Sequence, residues 1–142
     1  MRRQVVCSRA LLSVCAAGLL SVSVVARQGD AEAAKIKNPV ASTPASVAAG
    51  KKVYDLNCAG CHGVEGKGGI VLSVIEDQGG NQPPALNAGK WTHGSSDGEI
   101  FTVIKKGIGP AFFMQPWDGR ISDTDIWNVI NYIRSIQKIK AQ

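Results

Sequence analysis

Two stretches in the C-terminal half of the chain carry apolar residues at helical spacing. Behind Ser122, the residues Ile126, Val129, Ile130, Ile133 and Ile136 recur at intervals of three and four. That spacing gathers them on one face of an α-helix. Ser122 is a good N-cap with Asp125 three places on, and Lys138 and Lys140 near the end suit the helix dipole. Behind Ser96, the residues Ile100, Phe101, Val103 and Ile104 follow the same period, and Ser96-Asp97-Gly98-Glu99 fits a capping box. Gly107 can end this helix. A third helix is expected from Val47 to Tyr54, with Ser46 as its N-cap, running into Cys58. Gly63 to Gln82 is glycine-rich and reads as loop, with a short turn of helix open to Ile70–Ile75. No pair of alternating strands is visible. The pattern predicts an all-α domain.

The N-terminal pattern is of another kind. Ala10 to Ala26 is a 17-residue apolar run interrupted only by Gly and Ser, preceded by Arg2, Arg3 and Arg9. Ala31-Glu32-Ala33 and Val24-Val25-Ala26 are both small-residue cleavage sites. Together these make residues 1–33 a secretory signal peptide. The alternative is an uncleaved anchor, for which the run is just short of the roughly 18–20 residues of a spanning helix. A lipid anchor through Cys15 is weaker, because Val14 stands where a small residue is usual. Residues 34–45, rich in Ala, Pro, Ser and Thr, read as a flexible leader to the folded part, residues 46–142.

Removal of the signal changes the charge argument. The full chain has 16 basic and 11 acidic residues. Residues 1–33 hold four of the first and two of the second, so the remainder has 12 and 9, a net +3. No basic block interleaved with aromatics is present, so a nucleic-acid partner is not expected. About 95–100 residues are left to fold, a size at which a core is marginal unaided.

The chemistry is concentrated in Cys58-Ala59-Gly60-Cys61-His62. C-x-x-C-H is the attachment motif of c-type haem. Each thiol adds across one haem vinyl group to form a thioether, and the adjacent histidine reaches the iron. A zinc site needs two further ligands, and no second cysteine pair follows. A redox dithiol belongs at a strand end in a βαβ pattern, which this chain lacks. Attachment of such a haem takes place outside the bacterial cytoplasmic membrane, in keeping with export. Two haem propionates would bring the net charge of the exported chain near +1.

A helix, the haem motif, a long loop, a helix, a methionine loop and a terminal helix resemble, in that order, the class I (monohaem) cytochrome c family of small bacterial periplasmic type. The likeness spans Ser46 to Gln137 and is carried by Cys58–His62, Pro84-Ala85-Leu86, Met114 and the terminal Ile126–Ile133. It implies an all-α class I cytochrome c fold wrapped round one covalent haem. It implies that Gly50 lies against the last helix, with Val129 and Tyr132 opposite Tyr54. His62 and Met114 are then the axial ligands, the Pro84 carbonyl fixes the His62 tautomer, Leu86 packs on the haem and Trp91 donates to a propionate. Met114 is the single methionine once Met1 is removed, and His93 is its rival for the sixth position. Trp127 is expected in the core, and Trp117 at a haem edge. The implied activity is one-electron transfer between periplasmic redox proteins, not turnover of an organic substrate. The alternative is a dedicated cytochrome partner or subunit of a redox enzyme, such as a quinoprotein dehydrogenase or a terminal oxidase. Lys51, Lys52, Lys67, Lys105 and Lys106 are candidates for steering partners.

Overall fold

The computed structural model describes residues 30–68, 82–89, 91–109 and 114–137. Residues 1–29 of the expected signal or anchor, the turn at Ile70–Ile75, and Lys138 and Lys140 lie outside them. Among the described residues four α-helices follow in order: α1 (Pro44–Asn57), α2 (Ala59–His62), α3 (Asp97–Lys106) and α4 (Asp123–Ile136). Short 3-10 turns stand at Ala33–Lys35, Val64–Gly66 and Leu86–Ala88. The described residues hold no strand, only an isolated antiparallel bridge between Ile108 and Met114. The fold is all-α.

The two capped helices start where their sequences said. The Ser96 hydroxyl accepts from the Glu99 N–H, and the Glu99 carboxylate accepts from the Ser96 N–H at 2.9 Å. The Ser122 hydroxyl accepts from the Asp125 N–H at 3.1 Å. The start of α1 differs from expectation. Its N-cap is Thr43, Pro44 follows at the first helical position, and Ser46 is the third residue of a capping box with Thr43. Proline suits that position because its missing N–H would have no partner there.

α4 is more than an amphipathic stripe, because all eight residues from Ile126 to Ile133 are buried. It is covered on several sides. α1 crosses it at Gly50, where a methyl group would overlap the Asn128 carbonyl. Next to the crossing the Tyr54 and Tyr132 rings meet at 5.1 Å, tilted by 57°. α3 packs through Ile100 and Ile104, and Phe101 stacks on Trp127 at 4.1 Å and 11°. Ile126, Val129, Ile130 and Tyr54 are the largest fully buried side chains. Each such residue is worth roughly 1.5–3 kcal/mol relative to exposure.

The third cover is the segment expected to be a flexible leader, and that expectation is corrected. The Asn38 side-chain amide donates to the Trp127 carbonyl at 3.2 Å and to Asn131 Oδ1 at 2.9 Å. Asn131 Nδ2 in turn donates to the carbonyls of Val40 at 3.1 Å and Ala41 at 3.3 Å, and to the Ser46 hydroxyl at 3.2 Å. Ala33 is 3% exposed, and its carbonyl lies against Gly98 at the start of α3. Buried amides find partners where they can, and Asn131, itself 4% exposed, finds them in this strap. The packed unit therefore includes Ala33 and does not begin at residue 46.

Candidate haem site

α1 stops at Cys58, whose N–H still donates to the Tyr54 carbonyl at 2.8 Å. One further turn follows. The N–H groups of Cys61 and His62 both donate to the Cys58 carbonyl, at 3.1 and 2.9 Å. Positions i, i+3 and i+4 of a helical turn share a face, so α2 turns Cys58, Cys61 and His62 the same way. Gly63, at φ +76°, breaks the helix directly after the histidine. Its carbonyl accepts from the buried Tyr54 hydroxyl at 2.9 Å, which ties the end of the motif to the α1–α4 crossing.

Both thiols are free; Cys58 is half-buried and Cys61 exposed. Burial, with the neighbouring Cys61 second, pushes the Cys58 thiol up to about 12. Burial also lowers the pKa of His62, against a smaller opposing pull from the Pro84 carbonyl. A neutral imidazole is the iron-binding form.

His62 Nδ1 stands 3.5 Å from the Pro84 carbonyl oxygen, at the outer limit of a hydrogen bond. A proton on Nδ1 leaves Nε2 free as a ligand atom. The approach of residues 83–86 to the motif depends on Gly68, which the sequence reading did not single out. Gly68 has φ +65°, its N–H donates to the His62 carbonyl at 2.8 Å, and an added Cβ would meet Ala85 N at 2.8 Å. The glycine-rich run 66–69 was its visible signal, but which glycine makes the contact is a tertiary fact.

Leu86 follows on a 3-10 turn, 9% exposed and part of the core cluster. Trp91 is half-buried against the same cluster, with the Arg134 guanidinium 6.0 Å from its ring. That arginine is held by Asp97 and the Ser95 carbonyl, so it braces the loop between Trp91 and α3. Met114 is half-buried and packs against the core, and the Ile108 N–H donates to its carbonyl at 2.9 Å. Trp117 also packs against the cluster, beneath the Arg120 guanidinium at 4.4 Å. His93 stands half-buried in the loop before Ser96. Cys58, His62 and Pro84 are thus brought together directly, while Leu86, Trp91 and Met114 meet through the shared core.

Of the steering lysines, Lys51 pairs with Asp55 at 2.6 Å, Lys67 with Glu65 at 3.0 Å, and Lys105 with Asp123 at 2.7 Å. Lys52 and Lys106 have no ion pair among the described residues. The donor set on one face is two thiols and an imidazole. This suits a haem c, and among the described residues no cluster of three or more His, Cys, Asp or Glu could hold a bare metal ion.

An all-α fold closed by crossing terminal helices, with this motif beside the crossing, defines a cytochrome c-type electron-transfer domain. Residues 45–133 match the family model described as "Cytochrome C oxidase, cbb3-type, subunit III", and the chain belongs to that family. Membership implies haem c. The chain is 31% identical over 99 residues to the Cbb3-type cytochrome c oxidase subunit CcoP of Azospirillum sp. (strain B510), covering 70% of this chain and 31% of that protein. It therefore spans about a third of the length of this relative. Among solved structures it is similar to the reducing HAO-like protein complex of Kuenenia stuttgartiensis, with a TM-score of 0.61 and 29% identity, over 74% of this chain and 49% of that one. It is also similar to cytochrome cL from Hyphomicrobium denitrificans, with a TM-score of 0.52 and 27% identity, over 66% and 48% of the two chains.

Proposed function

We propose that this chain is a periplasmic one-electron carrier holding a single covalently bound haem c, with His62 and Met114 as its axial ligands. The observation that carries the reading is the single turn α2. It presents two free thiols and an imidazole on one face, with Nδ1 of the imidazole 3.5 Å from the Pro84 carbonyl oxygen. When bound, haem supplies a one-electron iron couple. The chain supplies the rest. Cys58 and Cys61 fix two points on one porphyrin edge. The Pro84 carbonyl holds the proton of His62 on Nδ1, which sets the ring's tautomer and orientation. Leu86 gives the site an apolar wall, and the Trp91 indole N–H is a donor for a propionate. The Met114 thioether, a soft ligand, favours reduced iron and raises the potential.

Were His62 and Met114 both to hold the iron, no coordination position would be left for a substrate. The chain is then no enzyme on its own, and donor and acceptor dock only transiently. The apolar run Ala10–Ala26 and the flanking arginines support export to the periplasm. Membrane association then comes only through partners, or through an anchor left uncleaved. A second reading is favoured by the match to an oxidase subunit family and by relatives named as oxidase subunits. In it the same domain serves as a dedicated subunit or partner of one redox enzyme. Co-purification of an intact oxidase or dehydrogenase from membranes or periplasm separates the two.

The test of the ligand set is spectroscopic. Oxidised protein is expected to show the weak sulfur-to-iron band in the far red, and Met114→Ala to lose it and lower the potential, since axial ligands tune haem over about 0.8 V. If His93→Ala removes the sixth ligand instead, the assignment of Met114 fails.

A further inference from the structure

We propose that Gly107 is a positioning residue for the sixth iron ligand: the glycine at the end of α3 holds the backbone of Met114 at the height its thioether needs. The inference rests on the reading of Met114 as that ligand and goes beyond it. Gly107 has φ +70° and ψ −174°, and its N–H closes α3 on the Val103 carbonyl at 2.9 Å. A Cβ placed on it would stand 2.6 Å from the Met114 carbonyl oxygen, 2.8 Å from Pro116 N and 3.0 Å from the Gln115 carbonyl carbon. All three atoms are backbone, so no side-chain rotation relieves the contact.

The returning segment is zipped to the end of α3 at further points. The Ile108 N–H donates to the Met114 carbonyl at 2.9 Å. The Trp117 N–H donates to the carbonyls of Ile104 and Lys105, both at 3.2 Å, and the Asp118 N–H to that of Lys105 at 3.1 Å. Ile104 is itself 7% exposed in the core, so these acceptors are fixed by packing. The backbone of Met114 is thereby set by α3.

An alanine at 107 pushes this segment away. Restoring an ordinary contact of 3.4 Å to the Met114 carbonyl from 2.6 Å requires a shift of about 0.8 Å. Ligand geometry tolerates about 0.5 Å. A shift of that size would carry the Met114 thioether beyond the tolerance of a ligand site.

Gly119 provides the control. It has φ +71°, and nothing lies within 4 Å of an added Cβ. Gly119→Ala likewise puts an alanine at positive φ, without a collision. The experiment compares oxidised holoprotein of Gly107→Ala, Gly119→Ala and Met114→Ala with the parent. The readouts are the far-red sulfur-to-iron band, the midpoint potential, carbon monoxide binding to the reduced form, and the melting temperature. Both glycine variants are expected to melt lower. Only Gly107→Ala should lose the band, fall in potential and gain carbon monoxide binding, as Met114→Ala does. Should Gly107→Ala give no holoprotein, Ile108→Pro, which deletes the N–H holding the Met114 carbonyl, is expected to show the same three changes. A normal band and potential in Gly107→Ala, or in Ile108→Pro where that variant stands in, with the band lost in Met114→Ala, overturns the role of Gly107 and leaves the ligand intact. A band that survives Met114→Ala overturns both.

Discussion

Gly50→Ala probes the crossing of α1 and α4 on which the motif hangs. Helix propensity alone makes this change stabilising by about 1 kcal/mol, because alanine is the better helix former. Packing opposes it. The new methyl overlaps the Asn128 carbonyl and stands 2.9 Å from Val129 N, and both are backbone atoms of a helix buried over eight residues. The helices have to separate by about 1 Å. A gap of 0.5–1 Å forfeits a quarter to a half of each contact's roughly 0.1–0.2 kcal/mol. Tyr54, Val129 and Ile130, each at most 1% exposed, make most of those contacts. Overpacking of this kind costs about 1–3 kcal/mol and sometimes more, and the rigidity of both partners puts this site at or above the upper end. The net expectation is a loss of about 2 kcal/mol, or a fall of about 8 °C in melting temperature for a domain of this size. Thermal melting of oxidised holoprotein by far-UV circular dichroism measures it. A melting temperature unchanged or raised in Gly50→Ala refutes the reasoning, since propensity would then have outweighed a contact that cannot be close.

Asn131→Ala removes the amide that joins α4 to the N-terminal strap and leaves the Val40 carbonyl without its donor, while the Ala41 carbonyl keeps the Ser46 hydroxyl. A stability loss of about 2–3 kcal/mol is expected, seen as a lower urea midpoint at unchanged slope. Because Ala33 is packed against Gly98, the exported protein is expected to retain it. N-terminal sequencing should then give Arg27, from cleavage after Ala26, and an Ala34 start counts against a structural role for Ala33. Lys51, Lys67 and Lys105 are already ion-paired, so their reversal should leave the rate of reduction by a redox partner nearly unchanged. Reversal of Lys52 with Lys106 should slow it at low salt and not at high salt. Equal effects from all five lysines contradict that division.

The parts of the fold legible in the sequence were those written locally. Ser96 with Glu99 and Ser122 with Asp125 each satisfy a helix end within four residues, so the pattern and the structure agree. The haem motif was legible for the same reason, since one helical turn assembles it. Thr43-Pro44 carries a start signal of its own, a cap followed by proline, beside the competing cap residue Ser46. The strap was not legible. Its partners Asn38 and Asn131 are 93 residues apart, and its composition is that of a loose linker. Gly68 and Gly107 were visible as glycines, Gly107 as a helix end. Their roles against Ala85 and Met114 depend on how distant backbone segments cross, and no local pattern encodes that.

The central claim is that Cys58, Cys61 and His62 hold one covalent haem. Intact mass of the protein purified after export tests it most directly, together with acid-acetone extraction. The expected result is the mass of the processed chain plus one haem, with the colour retained by the protein after extraction and lost in Cys58→Ala. A mass equal to the bare chain, or haem that passes into the acetone, contradicts it.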